Sequence, residues 1–185
     1  MSSYRIQGYA IVSVDGMLAN AQGIMPDELK NDADQRFFSD GLDRAAAVVH
    51  GRHSHEGQPN SPRRLRLIVT RRVAATAPDP SQPNALLWNP SGALLDDALH
   101  ALGAPDGVVA VIGGTEVFGM FLRYPGYDAF HLSRAGHARL PGGRPVFPQV
   151  PAQTPEEVLA DHGLKPGPRR VLDAAAEVTL VSWTR

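Results

Sequence analysis

The sequence contains no cysteine. That absence excludes disulfides, thiolate catalysis, cysteine-held iron–sulfur clusters and Cys-type zinc sites, and it fits a cytoplasmic protein. Net charge is almost absent too: 18 Lys and Arg against 19 Asp and Glu leave −1. Neither a nucleic-acid partner nor a membrane surface is expected from such a balance, so any positive charge that matters is local. No apolar run is long enough for a membrane span. The first residues, Met1 to Arg5, lack the basic-then-apolar form of a signal peptide, so a cytoplasmic location is expected. Two histidines spaced as His53-x-His55 are too few for a metal site, and no metal is expected.

What is present suits one domain over residues 1–185. Such a length buries a proper core without staples. The 16 prolines and 18 glycines imply many loops between recurring apolar runs. Tyr4 to Val14 reads as a buried strand ended by Asp15-Gly16. Pro26 with Asp27 and Glu28 looks like a helix start, predicting a helix to about Phe38 with Gly41 just beyond it. Ala45 to His50, Leu65 to Thr70 and Ala85 to Trp88 read as strands, with a Pro-rich loop before the last. Ser91 is the expected N-cap and Gly103 the expected stop of an amphipathic helix. Gly107 to Ile112 is a strand covered on both faces, Thr115 to Arg123 a helix, and Tyr127 to Arg134 a further strand. Thr154-Pro155-Glu156-Glu157 is a capping-box pattern, and Glu177 to Trp183 closes the chain as a strand. Trp88 and Trp183 lie in strand-like runs and read as packing residues. The alternation predicts an α/β fold: a mixed, mostly parallel central sheet flanked by helices, with an antiparallel C-terminal edge.

Three successive strand ends have phosphate-binding character. After the first, Gly51-Arg52-His53-Ser54 offers a sharp turn, a guanidinium and a hydroxyl. A helix starting at Arg52 or His53 would add its free N–H groups. After the second, Thr70-Arg71-Arg72 offers a hydroxyl and a guanidinium fork. After the third, Ile112-Gly113-Gly114-Thr115-Glu116-Val117 places paired glycines between a strand and a helix. This is neither the G-x-G-x-x-G fingerprint nor a P-loop. Each turn by itself also reads as a solvated loop, but one extended ligand at the carboxyl ends of the strands could touch all three.

The order strand–Gly-Arg-His-Ser, strand–Thr-Arg, strand–Gly-Gly-x-x-Val-Phe, then Asp128 to Ser133 and Arg144 to Pro148, resembles the dihydrofolate-reductase superfamily over nearly the whole chain. The resemblance implies an NADPH-dependent reductase. Its cofactor contacts would fall on Gly51, Arg52, His53, Ser54, Thr70, Arg71, Ile112, Gly113, Gly114, Thr115, Glu116 and Val117, and the twin glycines usually carry a cis peptide. The pattern of Asp34-Gln35-Arg36-Phe37-Phe38 resembles the family's acid, two residues, aromatic, Phe. It implies Asp34 as catalytic acid with Ser133 as its hydroxyl partner. Phe38 would line an apolar wall, and Arg64 would receive a substrate carboxylate.

The chain also departs from the pattern. The stretch from Met25-Pro26 to Asp34 is longer than usual, Asp27 stands where a tryptophan is expected, and Asp27, Glu28, Asp32 and Asp34 compete for the acid's role. Ser13-Val14-Asp15-Gly16-Met17-Leu18-Ala19 resembles instead the reductase domain of the riboflavin-pathway deaminase/reductase. The expectation is therefore hydride transfer to a pterin- or pyrimidine-like heterocycle. A riboflavin-pathway 5-amino-6-(5-phosphoribosylamino)uracil reductase-like enzyme, or a non-catalytic NADPH-binding protein of the same fold, stand as alternatives. Expected partners are that small heterocycle and, compatibly with the superfamily, a second copy of the chain as a homodimer.

Overall fold

A computed structural model describes residues 3–185. In chain order the elements are β1 (Tyr4–Val12), β2 (Met17–Ala19), α1 (Asp32–Arg44), β3 (Ala47–Gly51), β4 (Arg66–Val69), β5 (Thr76–Pro78), β6 (Ala85–Trp88), α2 (Leu95–Leu102), β7 (Gly107–Val111), α3 (Thr115–Arg123), β8 (Ala129–Ala135), β9 (Arg144–Pro145), α4 (Pro155–Asp161), β10 (Lys165–Pro166), β11 (Arg170–Asp173) and β12 (Val178–Thr184). The central sheet runs β10-β12-β8-β1-β7-β3-β4-β6-β5, with β11 also paired to β12. From β8 to β6 all pairs are parallel. Strand β12 adds antiparallel to β8, and β10 and β11 antiparallel to β12. The expected α/β sheet with its antiparallel C-terminal edge is thus present. A second antiparallel edge, β5 on β6, occupies the stretch expected to be only loop.

Alternation along the strands sorts side chains to two faces. Ile6 and Val12 of β1, Val109 and Val111 of β7, Val49 of β3, Leu67 of β4 and Phe130 and Leu132 of β8 join Leu95, Leu99, Phe118 and Phe121 of α2 and α3 in the main core. The opposite face carries Tyr9, Val48 and Ala110 against Leu42, Phe37 and Phe38 of α1. Among the described residues α1 is thus the one helix packed in the cluster on that face, which it covers only in part.

Several boundaries differ from the sequence expectation for local reasons. Pro26-Asp27-Glu28 makes only a single 3-10 turn over Asp27–Leu29. The α-helix starts at Asp32, because Asn31 accepts from the backbone N–H groups of Ala33 and Asp34, the typical work of an N-cap. Gly41 sits inside α1 rather than beyond it. A Cβ there would lie 2.6 Å from the Tyr9 hydroxyl, so the helix tolerates a glycine to let Tyr9 pack. Ser91 is not an N-cap: Asn89 accepts its N–H, and α2 begins at Leu95 without a side-chain cap. Gly103 does end α2, at φ 79 in the left-handed region. Thr154 and Glu157 form the complete capping box of α4. No helix starts at Arg52 or His53; residues 51–54 form a turn, so helix-dipole support for an anion is missing there. Asp15 accepts from Ser13 Oγ at 2.5 Å and from the Leu140 N–H at 3.0 Å, which makes the Asp15-Gly16 turn a structural clasp. Trp88 and Trp183 are buried. Among the described residues no helix is long and apolar enough to cross a membrane.

Candidate active site

A cleft of about 690 Å³ opens between α1 and the uncovered sheet face. Its floor comes from Tyr9 and Ile11 of β1, His131 and Ser133 of β8, and Ile112 after β7. Asp34, Phe37 and Phe38 of α1 form one wall, and residues 53–58 another. Asp34 and Phe38 share a helix face through their four-residue spacing, and both do line the cleft. Of the four competing acids, Asp34 alone lines it; Asp27, Glu28 and Asp32 are exposed to solvent outside it.

Asp34 is buried. Loss of water around its carboxyl raises its pKa, and a hydrogen bond with the Ser133 hydroxyl opposes that rise. Burial favours the neutral acid because a charge in a low-dielectric wall is costly. Ser133 lies near the end of β8, on the same face as His131 by strand alternation.

The floor is aromatic. The His131 ring lies 4.7 Å from Tyr9 and 5.5 Å from Phe37, centroid to centroid. Phe38 meets Tyr9 edge-on at 6.2 Å. His131 is held at both nitrogens, by Ser182 Oγ at 2.7 Å and Gln7 Oε1 at 3.1 Å. Burial pushes its pKa down to about 4, so the ring is neutral and fixed. Such a surface suits a flat ring stacked or set edge-on against it.

At the end formed by residues 55–58 stands an ion cluster. The Glu56 carboxylate takes both terminal nitrogens of Arg66, at 2.8 and 2.9 Å, and Arg64 Nη1 at 2.8 Å. Arg64 also donates to Asp43, Gln58 and Ser39. Though burial works against it, this pairing holds the Glu56 carboxyl down at about 2. The expectation for Arg64 is therefore corrected. Its side chain is only 5% exposed, is held by the protein's own carboxylates, and does not line the cleft. Basic spacing in the sequence could not reveal that Glu56 and Asp43 would reach it first.

The three predicted turns lie side by side along the carboxyl rim, after β7, β3 and β4. The Gly51 N–H donates to the Gly113 carbonyl at 2.8 Å. A Cβ on Gly114 would come within 3.2 Å of Ser54 Oγ. The Gly113–Gly114 peptide bond is cis. His53, Ser54, Ile112 and Gly114 line the cleft itself. Arg52 and Arg71 are exposed on the rim, and among the described residues no ion pair or hydrogen bond engages their guanidinium groups. Thr70 is buried, its hydroxyl accepting from the Arg72 N–H. Glu116 is exposed, whereas Val117 belongs to the core. Thr115 donates to the Pro145 carbonyl at 2.5 Å, tying the start of α3 to β9. Among the described residues no group of three His, Asp or Glu side chains could hold a metal.

Sequence reasoning missed Tyr9, Phe37, His131, Glu56 and Gln58 as cleft residues. Two-residue alternation from Ser133 signals His131, and helix spacing beside Phe38 signals Phe37. Nothing local signals Glu56.

No family model and no curated protein matches this chain. Solved structures do. A riboflavin biosynthesis protein from Shewanella sp. PV-4 is 20% identical at TM-score 0.67, covering 98% of each chain. Dihydrofolate reductase from Enterococcus faecalis, solved with NADP(H) and RAB-propyl, is 15% identical at TM-score 0.65, over 98% of this chain and 96% of its own. A pyrimidine reductase-like protein from Corynebacterium diphtheriae is 13% identical at TM-score 0.66, over 97% of this chain and 91% of that one. The chain has the dihydrofolate-reductase-like fold.

Proposed function

We propose that this protein is an NADPH-dependent reductase of a flat, pterin- or pyrimidine-like heterocycle. The observation that carries the reading is the position of a buried carboxyl, Asp34, on an aromatic cleft that meets a rim of glycine turns and unpaired guanidinium groups. The donor set fits a dinucleotide phosphate. Arg52 and Arg71 flank adjacent parallel strand ends, since β3 and β4 pair with Gly51 opposite Val69. Cations without a protein partner at such a place are available to an anion. The Gly51 and Gly113-Gly114 backbones pack together, the Gly51 N–H on the Gly113 carbonyl at 2.8 Å, and three glycines without Cβ atoms suit close approach of a ligand. Gly51, Arg52, His53, Ser54, Thr70, Arg71 and the segment from Ile112 to Val117 would hold the cofactor.

When bound, NADPH supplies a hydride. Reduction of a ring C=N bond then needs one proton on nitrogen. Asp34 holds that proton in a setting where burial favours the acid form, and a carboxylic acid so placed is suited to general-acid work. Ser133 orients the carboxyl. Tyr9, Phe37, Phe38 and His131 hold the ring flat and keep water from its faces. The riboflavin-pathway and pyrimidine reductase-like neighbours favour a pyrimidine as the second reading of the ring.

The test is cofactor oxidation by purified protein with a panel of dihydropterins, pterins and aminopyrimidines. Absorbance loss above the enzyme-free rate with one ring class supports the reading; a blank rate with all of them overturns it. Arg52→Ala combined with Arg71→Ala is expected to weaken NADPH far more than NADH, and equal weakening removes the assignment of the 2′-phosphate to this rim.

A further inference from the structure

The two ends of the site treat negative charge oppositely. On the rim, Arg52 and Arg71 have no ion-pair or hydrogen-bond partner for their guanidinium groups among the described residues. Behind the cleft wall, by contrast, every donor of Arg64 is in use. A guanidinium has five N–H groups. In Arg64, Nε serves Asp43, Nη1 serves Glu56 and Gln58, and Nη2 serves Asp43 and Ser39. Arg66 is fully buried and its terminal nitrogens are taken by Glu56 and Ser61. The wall at this end is built from His55, Glu56, Gly57 and Gln58, with both Glu56 oxygens and the Gln58 amide oxygen already bonded to the arginines behind it.

The other charged groups of the cleft do not reverse this. Lys30 is the one lysine or arginine lining it among the described residues. It stands 57% exposed with its ammonium 3.2 Å from Asp27. Asp34, the remaining acid, presents a second acceptor or a neutral carboxyl. A carboxylate or phosphate on the ligand would find no unpaired buried cation here. It would have to displace Glu56 from two guanidinium groups, an exchange of one ion pair for another with the displaced carboxylate left to be rehoused.

We propose that Glu56 is a specificity-determining residue that makes this end of the cleft reject ligands with an anionic tail, so that the reduced substrate is an uncharged flat heterocycle bearing at most hydroxyl or amino substituents. This rests on the heterocycle reading above and narrows it. Substituents that carry negative charge meet a partly desolvated wall whose two cations Glu56 has already neutralised, so they lose water without gaining a counter-charge; uncharged substituents lose less on entering.

The test is equilibrium binding to the NADPH-loaded wild-type protein by calorimetry, using two matched pairs. One pair is 6-hydroxymethylpterin against folic acid, which adds a dicarboxylate tail to the same ring. The other is an aminopyrimidine riboside against its 5′-phosphate. The tail-free member of at least one pair is expected to bind ten-fold or more tighter than its anionic counterpart. In Glu56→Gln, checked for its fold by circular dichroism, that ratio is expected to fall at least ten-fold as Arg64 and Arg66 lose their counter-charge. Equal or tighter wild-type binding of the anionic members overturns the inference while leaving the heterocycle reading standing. So does an unchanged ratio in folded Glu56→Gln. Binding of no member of either pair removes the heterocycle reading, and this inference with it.

Discussion

Acid sensitivity of the fold is expected to begin with His50, a buried ring beside the more exposed His55. The side chain is 1% exposed on β3. Its Nδ1 lies 2.6 Å from the Gly51 carbonyl, which assigns the proton to Nδ1 and leaves Nε2 a bare acceptor. Nε2 is buried without a hydrogen-bond partner. Protonation there would create an N–H with nowhere to donate, in the field of the nearby Arg66 guanidinium. Burial first, and that field in addition, push the pKa from 6.5 down to about 4. Above pH 6.5 the ring is neutral whether the chain is folded or not, and stability is complete. Below it, the unfolded chain takes up a proton that the folded chain refuses, so stability falls until about pH 4. At about 1.4 kcal/mol per pH unit, the whole interval costs about 3 kcal/mol, and the step from pH 6.5 to about pH 5 costs about 2 kcal/mol. His131 titrates in the same direction, its pKa also held near 4 by burial. Glu56, held near 2, keeps its contribution until pH falls below 4.5. Asp34, with its pKa raised, acts with the opposite sign and is relieved by acid. The assay is urea unfolding of wild type and His50→Gln at about pH 7 and about pH 5. The variant is expected to lose about 2 kcal/mol less than wild type between those values. Identical losses in the two proteins, or a His50 ring that titrates near 6.5 by NMR, would refute the reasoning.

Replacing Asp34 with Asn is expected to slow turnover by roughly 100-fold or more with cofactor affinity unchanged, measured by single-turnover kinetics and cofactor titration. The wild-type rate should fall as pH rises through the raised pKa of Asp34, a limb absent from the variant. Glu56→Gln leaves Arg66 charged in a fully buried position, so denaturant unfolding should show a loss of about 3–5 kcal/mol; adding Arg66→Met should recover more than about 1 kcal/mol of it, and a purely additive double variant would dismiss the coupling. Gly41→Val should cost about 1–3 kcal/mol by forcing the Tyr9 ring aside, and because Tyr9 floors the cleft it should weaken ring binding as well.

The longer strands and helices α2 to α4 were legible in the sequence because hydrophobic periodicity and turn chemistry are local, whereas short edge strands such as β2, β5, β9, β10 and β11 were not. The buried strand from Gly107, the helix from Thr115 to Arg123, the capping box at Thr154 and the stop at Gly103 each follow from a few neighbouring residues. The helix pairing of Asp34 with Phe38 was readable for the same reason, since four-residue spacing fixes a shared face. The start of α1 was misplaced because Pro26 with its following acids starts only a single 3-10 turn, and the side chain that caps the helix is Asn31.

Tertiary structure alone decided which charges are available. Along the chain Arg52, Arg64 and Arg71 all read as cations free for a ligand. Folding carries Glu56 onto Arg64 and Arg66 and Asp43 onto Arg64, and among the described residues it leaves the Arg52 and Arg71 guanidinium groups without partners. Likewise four acids near the start of α1 look alike along the chain, and only the crossing of that helix over β1 and β8 buries one of them, Asp34, beside Ser133. A side chain's type and spacing are properties of the chain, but its solvation and its counter-charge are properties of what the fold brings against it.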